Sequence, residues 1–170
     1  AWCTTAKANT IYVEGSAYGT NKLTGCLSAS TDLGKTGQQS AAVVDGDSWT
    51  ICSDSCDSKR LYIVNEDYTS TGDHLSNQFY SPDAGSSWIS AVGFGSPYLC
   101  GGMTCTANTI YSSSLENGIY RSIDQGVTWK NIGGPVRPSA SMAFDSRNIA
   151  CVNDNIVFLL DDQGSIWETT

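Results

Sequence analysis

"RSIDQGVTW", residues 121–129, sets Ser122, Asp124, Gly126 and Thr128 at every second position and closes on Trp129. One copy of such a stretch describes a polar turn. An aspartate at its start accepts hydrogen bonds from backbone N–H groups just ahead, a glycine supplies the positive φ that reverses the chain, and hydroxyls satisfy the remaining polar groups. The stretch decides the fold because it recurs. Relatives occur as "SASTDLGKTG" (28–37), "YSPDAGSSW" (80–88) and "LLDDQGSIW" (159–167), with central aspartates Asp32, Asp83 and Asp162. Successive aspartates are roughly 40 to 50 residues apart, a period that marks stacked or circularly arranged repeats.

Upstream of each aspartate lies a short β-branched or aromatic run: "NTIYVEG" from Asn9, "KRLYIVN" from Lys59, "NTIYSSS" from Asn108 and "NIACVND" from Asn148. Each reads as a strand. Further upstream come "AWC", "SWTIC", "SPYLC" and "SMAF". The unit is therefore a four-stranded antiparallel meander, with the aspartate turn between its third and fourth strands. Four units fill the chain, at about 1–45, 46–93, 94–134 and 135–170, as a single all-β domain of propeller-like blades. The first two units are longer between their second and third strands, where "SAYGTNKLTG" (16–25) and "NEDYTSTGDHLSN" (65–77) read as inserted loops. Insertions at an equivalent place in a repeat collect on one face, often the binding face. Tyr18, Tyr68, Asp73 and His74 are the candidate ligand residues there, set against a plain solvated loop.

The pattern Ser-x-Asp-x-Gly-x-Thr-Trp resembles the Asp-box, or bacterial neuraminidase repeat, of sialidases, other glycoside hydrolases, sortilin-type receptors and secreted β-propellers. Two copies are complete: Ser81, Asp83, Gly85, Ser87 and Trp88, and Ser122, Asp124, Gly126, Thr128 and Trp129. The first copy, Ser30, Asp32, Gly34 and Thr36, has Gly37 where the aromatic belongs. The fourth keeps Asp162, Gly164 and Trp167 but has Leu160 and Ile166 for the hydroxyl residues. The resemblance implies that these residues hold turns and do no chemistry, with Trp88, Trp129 and Trp167, like Trp49, filling the core between blades.

Composition narrows the function. The 170 residues carry nine Lys plus Arg against 17 Asp plus Glu, a net charge of -8, and the cations are scattered. A nucleic-acid binder needs clustered cations to displace counterions from phosphates, so neither nucleic acid nor an anionic membrane surface is an expected partner. The longest apolar run, near Ile156 to Leu160, suits a strand and not a membrane span. Seven cysteines point to an oxidising compartment, hence an extracellular, secreted protein. Local disulfides Cys52–Cys56 and Cys100–Cys105 are the expectation. A zinc site is the alternative, disfavoured because "CSDSC" and "CGGMTC" lack CxxC spacing and His74 is the only histidine. At most one further pair can form within the chain among Cys3, Cys26 and Cys151. No metal or cofactor site is expected, and N-glycosylation is not, since no Asn-x-Ser/Thr sequon occurs.

A sialidase-like mechanism would need several arginines around a carboxylate and a tyrosine activated by a glutamate. Only Arg60, Arg121, Arg137 and Arg147 are available. Arg60, Arg121 and Arg147 adjoin repeat elements, and Arg137 in "GPVRPS" only loosely resembles the family's arginine motif. No catalytic residue is assigned. The expected function is a secreted, non-enzymatic binding or scaffold module that takes a protein or a glycan and either associates with itself or completes a longer propeller. A segment of a sialidase-like glycoside hydrolase is the alternative, and a sortilin-like receptor domain a third class.

Overall fold

The structure, a computed structural model, describes residues 2–7, 10–18, 23–39, 47–54, 57, 59–68, 74–93, 100–114, 117–134, 148–160 and 164–169. These form fifteen strands in four antiparallel sheets, with no helix among them. The first sheet runs β1 (Trp2–Lys7), β2 (Thr10–Tyr18), β3 (Leu23–Ser30), β4 (Gln38–Gln39). The second runs β5 (Asp47–Ser53), β6 (Leu61–Tyr68), β7 (His74–Ser81), β8 (Ile89–Ser90). The third runs β9 (Cys100–Cys105), β10 (Ile110–Ser114), β11 (Gly118–Ser122), β12 (Lys130–Gly133). Three described strands make the fourth: β13 (Asn148–Cys151), β14 (Val157–Leu160) and β15 (Ile166–Thr169). Spatial order equals chain order in every sheet, as short connections between antiparallel neighbours require.

The core lies between the sheets. "LYIV" in β6 is buried on both faces: Leu61 and Ile63 pack with Tyr12, Leu27 and Ile51 towards the first sheet, while Tyr62 packs with Ile110, Tyr120 and Trp129 of the third. Tyr111 and Ile119 then meet Val157 and Leu159 of the fourth. Side chains alternate across a strand, so a strand covered on both faces reads as a continuous apolar run. β10 departs from this: Ser112, Ser113 and Ser114 are fully buried, and the hydroxyls of Ser112 and Ser113 donate to the Gly102 carbonyl at 3.5 and 3.4 Å. The first strands β1, β5, β9 and β13 lie beside one another in succession.

Two expectations change. The insertions at 16–25 and 65–77 are largely strand: pairing continues to Tyr18↔Leu23 and Tyr68↔His74, whereas the third sheet stops at Ser114↔Gly118. The extra residues lengthen two hairpins because both strands grow together and each added residue of a strand gains a ladder partner. Asp73 and the connections themselves lie outside the described residues.

The fourth unit is also shifted. Ile11↔Ser30, Leu61↔Ser81 and Ile110↔Ser122 each place the turn serine opposite the residue preceding a second-strand aromatic. In the fourth sheet that relation is Val157↔Thr169, with Phe158 following. Since β13 is the strand beside β9, "NIACVND" supplies a first strand, and "LLDDQGSIW" spans a second-to-third strand connection. An Asp-x-Gly turn closes any short hairpin, so its sequence does not say which one it closes. Asp162 lies outside the described residues. Trp167 consequently sits on β15 opposite Leu159, 46% exposed and not packed between sheets as expected.

Ile63→Ala should cost about 2–5 kcal/mol through the cavity it leaves. Ile123→Ala, at a site 71% exposed, should stay within about 0.5 kcal/mol of the parent. Urea unfolding of both variants checks the contrast.

Candidate functional site

The three described serine–aspartate turns are nearly superimposable in their bonding. Ser30, Ser81 and Ser122 each donate from Oγ to the aspartate Oδ1 two residues on, at 2.8, 2.9 and 2.9 Å. The same Oγ accepts from the N–H of Gly34, Gly85 or Gly126 at 2.8, 2.8 and 2.9 Å. Oδ1 of Asp32, Asp83 and Asp124 accepts the N–H of Thr36, Ser87 and Thr128, and Oδ2 accepts their hydroxyls. The turn needs two consecutive residues at positive φ, Leu33–Gly34, Ala84–Gly85 and Gln125–Gly126. The first turn achieves this bonding without an aromatic, so the tryptophan is a packing element: Trp129 is buried and donates Nε1–H to the Gly126 carbonyl at 3.0 Å, and Trp88 lies against the cluster between the first and second sheets.

Every carboxylate oxygen of these aspartates is thus engaged within its own turn, and none is available as a general acid. Asp32 is held down to about 2, first by the Thr36 N–H, then by the Thr36 and Ser30 hydroxyls. The Ser87 hydroxyl and N–H lower Asp83. Partial burial pushes Asp124 up, yet the Thr128 and Ser122 hydrogen bonds prevail and the net direction is down.

The connections between first and second strands, at the same end of the sheets, are locked likewise. Buried Asp54 pairs with Arg60 at 3.4 Å. Asp154, after β13, accepts from the Thr106 hydroxyl and from Asn108 Nδ2, the latter at 2.9 Å. Its backbone carbonyl takes the Tyr111 hydroxyl at 2.8 Å and Arg121 Nη2 at 3.0 Å, and the Arg121 guanidinium lies 6.0 Å from the Tyr111 ring centroid. Arg60 and Arg121 therefore hold connections in place, and nothing in the sequence period announced Asp154 as their counterpart in the fourth sheet. Arg137 and Arg147 lie outside the described residues.

The lengthened hairpins β2–β3 and β6–β7 project from the opposite end, because the turn serines sit where β2 and β6 begin and the arms end where they finish. The ladder makes Tyr68 and His74 direct cross-strand partners and puts Tyr18 opposite Leu23. The first and second sheets are adjacent, so both arms rise from neighbouring sheets. Among the described residues no cluster of three His, Cys, Asp or Glu could hold a metal ion.

The side chain of Cys100, named with Cys105 for a local bridge, lies outside the described residues, and Cys52, Cys105 and Cys151 form no disulfide in the structure. Cys52 lies on β5 and Cys105 on β9, and their sulfurs approach each other across two sheets, at 3.7 Å, because inter-sheet packing and not sequence proximity decides which thiols meet. Cys56 lies outside the described residues.

No family model matches the chain, and no curated protein matches it. Among solved structures it is similar to the crystal structure of the Niastella koreensis GH74 enzyme, with a TM-score of 0.61 and 17% sequence identity over 95% of this chain. The fold is β-propeller-like. The chain spans 28% of the length of that enzyme.

Two outcomes test the turns. An Ala Cβ at position 126 would stand 2.8 Å from Tyr62 Cε1, whereas at position 34, with the same left-handed φ, it would meet nothing within 4 Å. Gly34→Ala should cost about 1–2 kcal/mol of backbone strain and Gly126→Ala about 1–3 kcal/mol more from overpacking, read by urea unfolding. Asp32 has its pKa lowered from 3.8 to about 2 on folding, so its contribution is present above pH 4 and lost as pH falls towards 2. Melting temperatures over that window should fall less steeply for Asp32→Asn than for the parent.

Proposed function

We propose that the chain is a secreted, non-enzymatic binding and scaffold module of the Asp-box propeller kind, which assembles head to tail with further copies and offers its hairpin arms to a protein or glycan. The observation that carries this reading is the outer face of the fourth sheet. Ile149, Ala150, Phe158, Leu160 and Ile166 line an open, mostly apolar depression there. By register, Ala150 and Phe158 correspond to Cys52 and Tyr62 of the second sheet, which the third sheet covers. At the other end, Val13 on β2 is 39% exposed on the face turned away from the second sheet. Two different apolar faces of this kind suit a heterologous contact, one copy's first sheet upon another's fourth. The bonding of every described turn aspartate, and of Arg60 and Arg121, to the fold supports a module without catalysis.

A second reading, a segment of a glycoside hydrolase, is favoured by the similarity to the GH74 propeller, a glycoside hydrolase. In that case a further blade of the same longer chain would cover the fourth sheet.

Multi-angle light scattering at tens of micromolar should report an assembly larger than one chain, and Leu160→Lys should return it to monomer without loss of folding by circular dichroism. A monodisperse monomer over that range would overturn the assembly. Turnover of any member of a fluorogenic glycoside panel would replace the first reading with the second.

A further inference from the structure

The approach of Cys52 to Cys105 follows from the repeat. Cys52 pairs with Tyr62 on β6, Cys105 with Ile110 on β10. One sheet on, the residues in those two roles are Thr104, opposite Tyr111, and Cys151, opposite Val157. There the Thr104 hydroxyl oxygen lies 3.2 Å from the Cys151 sulfur. The same contact between neighbouring first strands thus occurs twice, and between the second and third sheets it brings two thiols together. The Cys105 thiol donates to the Ser53 carbonyl at 3.1 Å, and its sulfur lies 3.7 Å from that of Cys52. The pair is separated by 53 positions in sequence, so spacing alone does not suggest it.

We propose that Cys52 and Cys105 are the two halves of an inter-sheet disulfide that forms when the chain meets a disulfide oxidant and staples the second sheet to the third. A bond requires the sulfurs to come to about 2.0 Å, closer than the 3.7 Å of the present contact. The reaction is thiol–disulfide exchange. One cysteine, as thiolate, attacks an acceptor disulfide RSSR and releases one RS⁻ as a mixed disulfide forms. The second loses its proton and attacks the protein sulfur of that mixed disulfide, releasing the other RS⁻. Two protein thiols are oxidised and one acceptor disulfide is reduced to two RSH, with both protons accounted for. The hydrogen bond with Cys105 and burial raise the Cys52 thiol well above its ordinary range, which makes closure slow at neutral pH and faster as pH rises. The pairing excludes both Cys52–Cys56 and Cys100–Cys105, since each sulfur forms one such bond. It does not depend on the proposed assembly, because both sulfurs belong to one chain.

The test starts from the fully reduced chain, treated with oxidised glutathione, alkylated and mapped by mass spectrometry without reduction. A peptide joining Cys52 to Cys105, lighter by two hydrogens than the separate peptides, is the expected product. It should bring a rise in melting temperature on the order of 5–10 °C that dithiothreitol reverses. Cys105→Ser should lose both the joined peptide and the rise, whereas Cys151→Ser should keep them. The map of the unsubstituted chain decides the matter even if a variant fails to fold. Finding Cys52 joined to Cys56, finding Cys100 joined to Cys105, or recovering both Cys52 and Cys105 alkylated after glutathione treatment would each overturn the proposal.

Discussion

No sheet of this chain can bury its apolar residues alone, because the second strand at the centre of each presents them on both faces. Tyr62 must be covered from one side while Leu61 and Ile63, its neighbours in sequence, must be covered from the other. Burial on this scale stabilises by about 1.5–3 kcal/mol for each large side chain, and a lone three- or four-stranded sheet would leave both faces to water. Stacking in succession is the solution, and the order of the stack follows the order of the chain. The same requirement applies to the outer faces of the first and fourth sheets, where Val13 and Leu160 are partly exposed.

The serine–aspartate turns serve this packing as well as their own hairpins. Their hydrogen bonds fix two successive left-handed residues, one of them a leucine, an alanine or a glutamine that would otherwise resist that conformation. What the tight turn gains is proximity. Gly126 of the third sheet rests on the ring of Tyr62 in the second, and Trp129, three residues further, closes the same cluster. The Trp129 N–H also donates to the carbonyl of Val92, the residue that leads out of the second sheet, and the Val92 N–H donates to the Val127 carbonyl, so turn, tryptophan and linker lock neighbouring units together.

Periodicity made the sheets legible. The runs around Tyr12, Tyr62 and Tyr111, and the three complete or nearly complete turns, sit in the structure as their sequences suggest, since β-branched runs and Asp-x-Gly turns act locally. The fourth unit misled because local signals do not carry topology: an aspartate turn and an apolar run look alike whether they close the second or the third hairpin, and only the register Val157↔Thr169 separates the two. The cysteines show a related limit of local signals. Spacings of four and five residues in sequence suggest local bridges, but Cys52 and Cys105 are brought together by packing across 53 positions, which no local rule contains. The arms read as loops in sequence because the polar residues of a hairpin ladder resemble those of a solvated connection.

The two ends of the stack are chemically unlike, and that asymmetry directs any search for function. At one end, the turn aspartates, Asp54 with Arg60, and Asp154 with Thr106, Asn108, Tyr111 and Arg121 spend their hydrogen-bonding capacity on one another and on backbone. A ligand arriving there would have to displace bonds already made, at a net cost of about 1 kcal/mol or more for each. At the other end, two ladders extend beyond the length that the third sheet requires. Paired strands hold their residues more rigidly than loops would, with less ordering entropy to offset on any binding. Rigidity therefore belongs to the end that carries the turns.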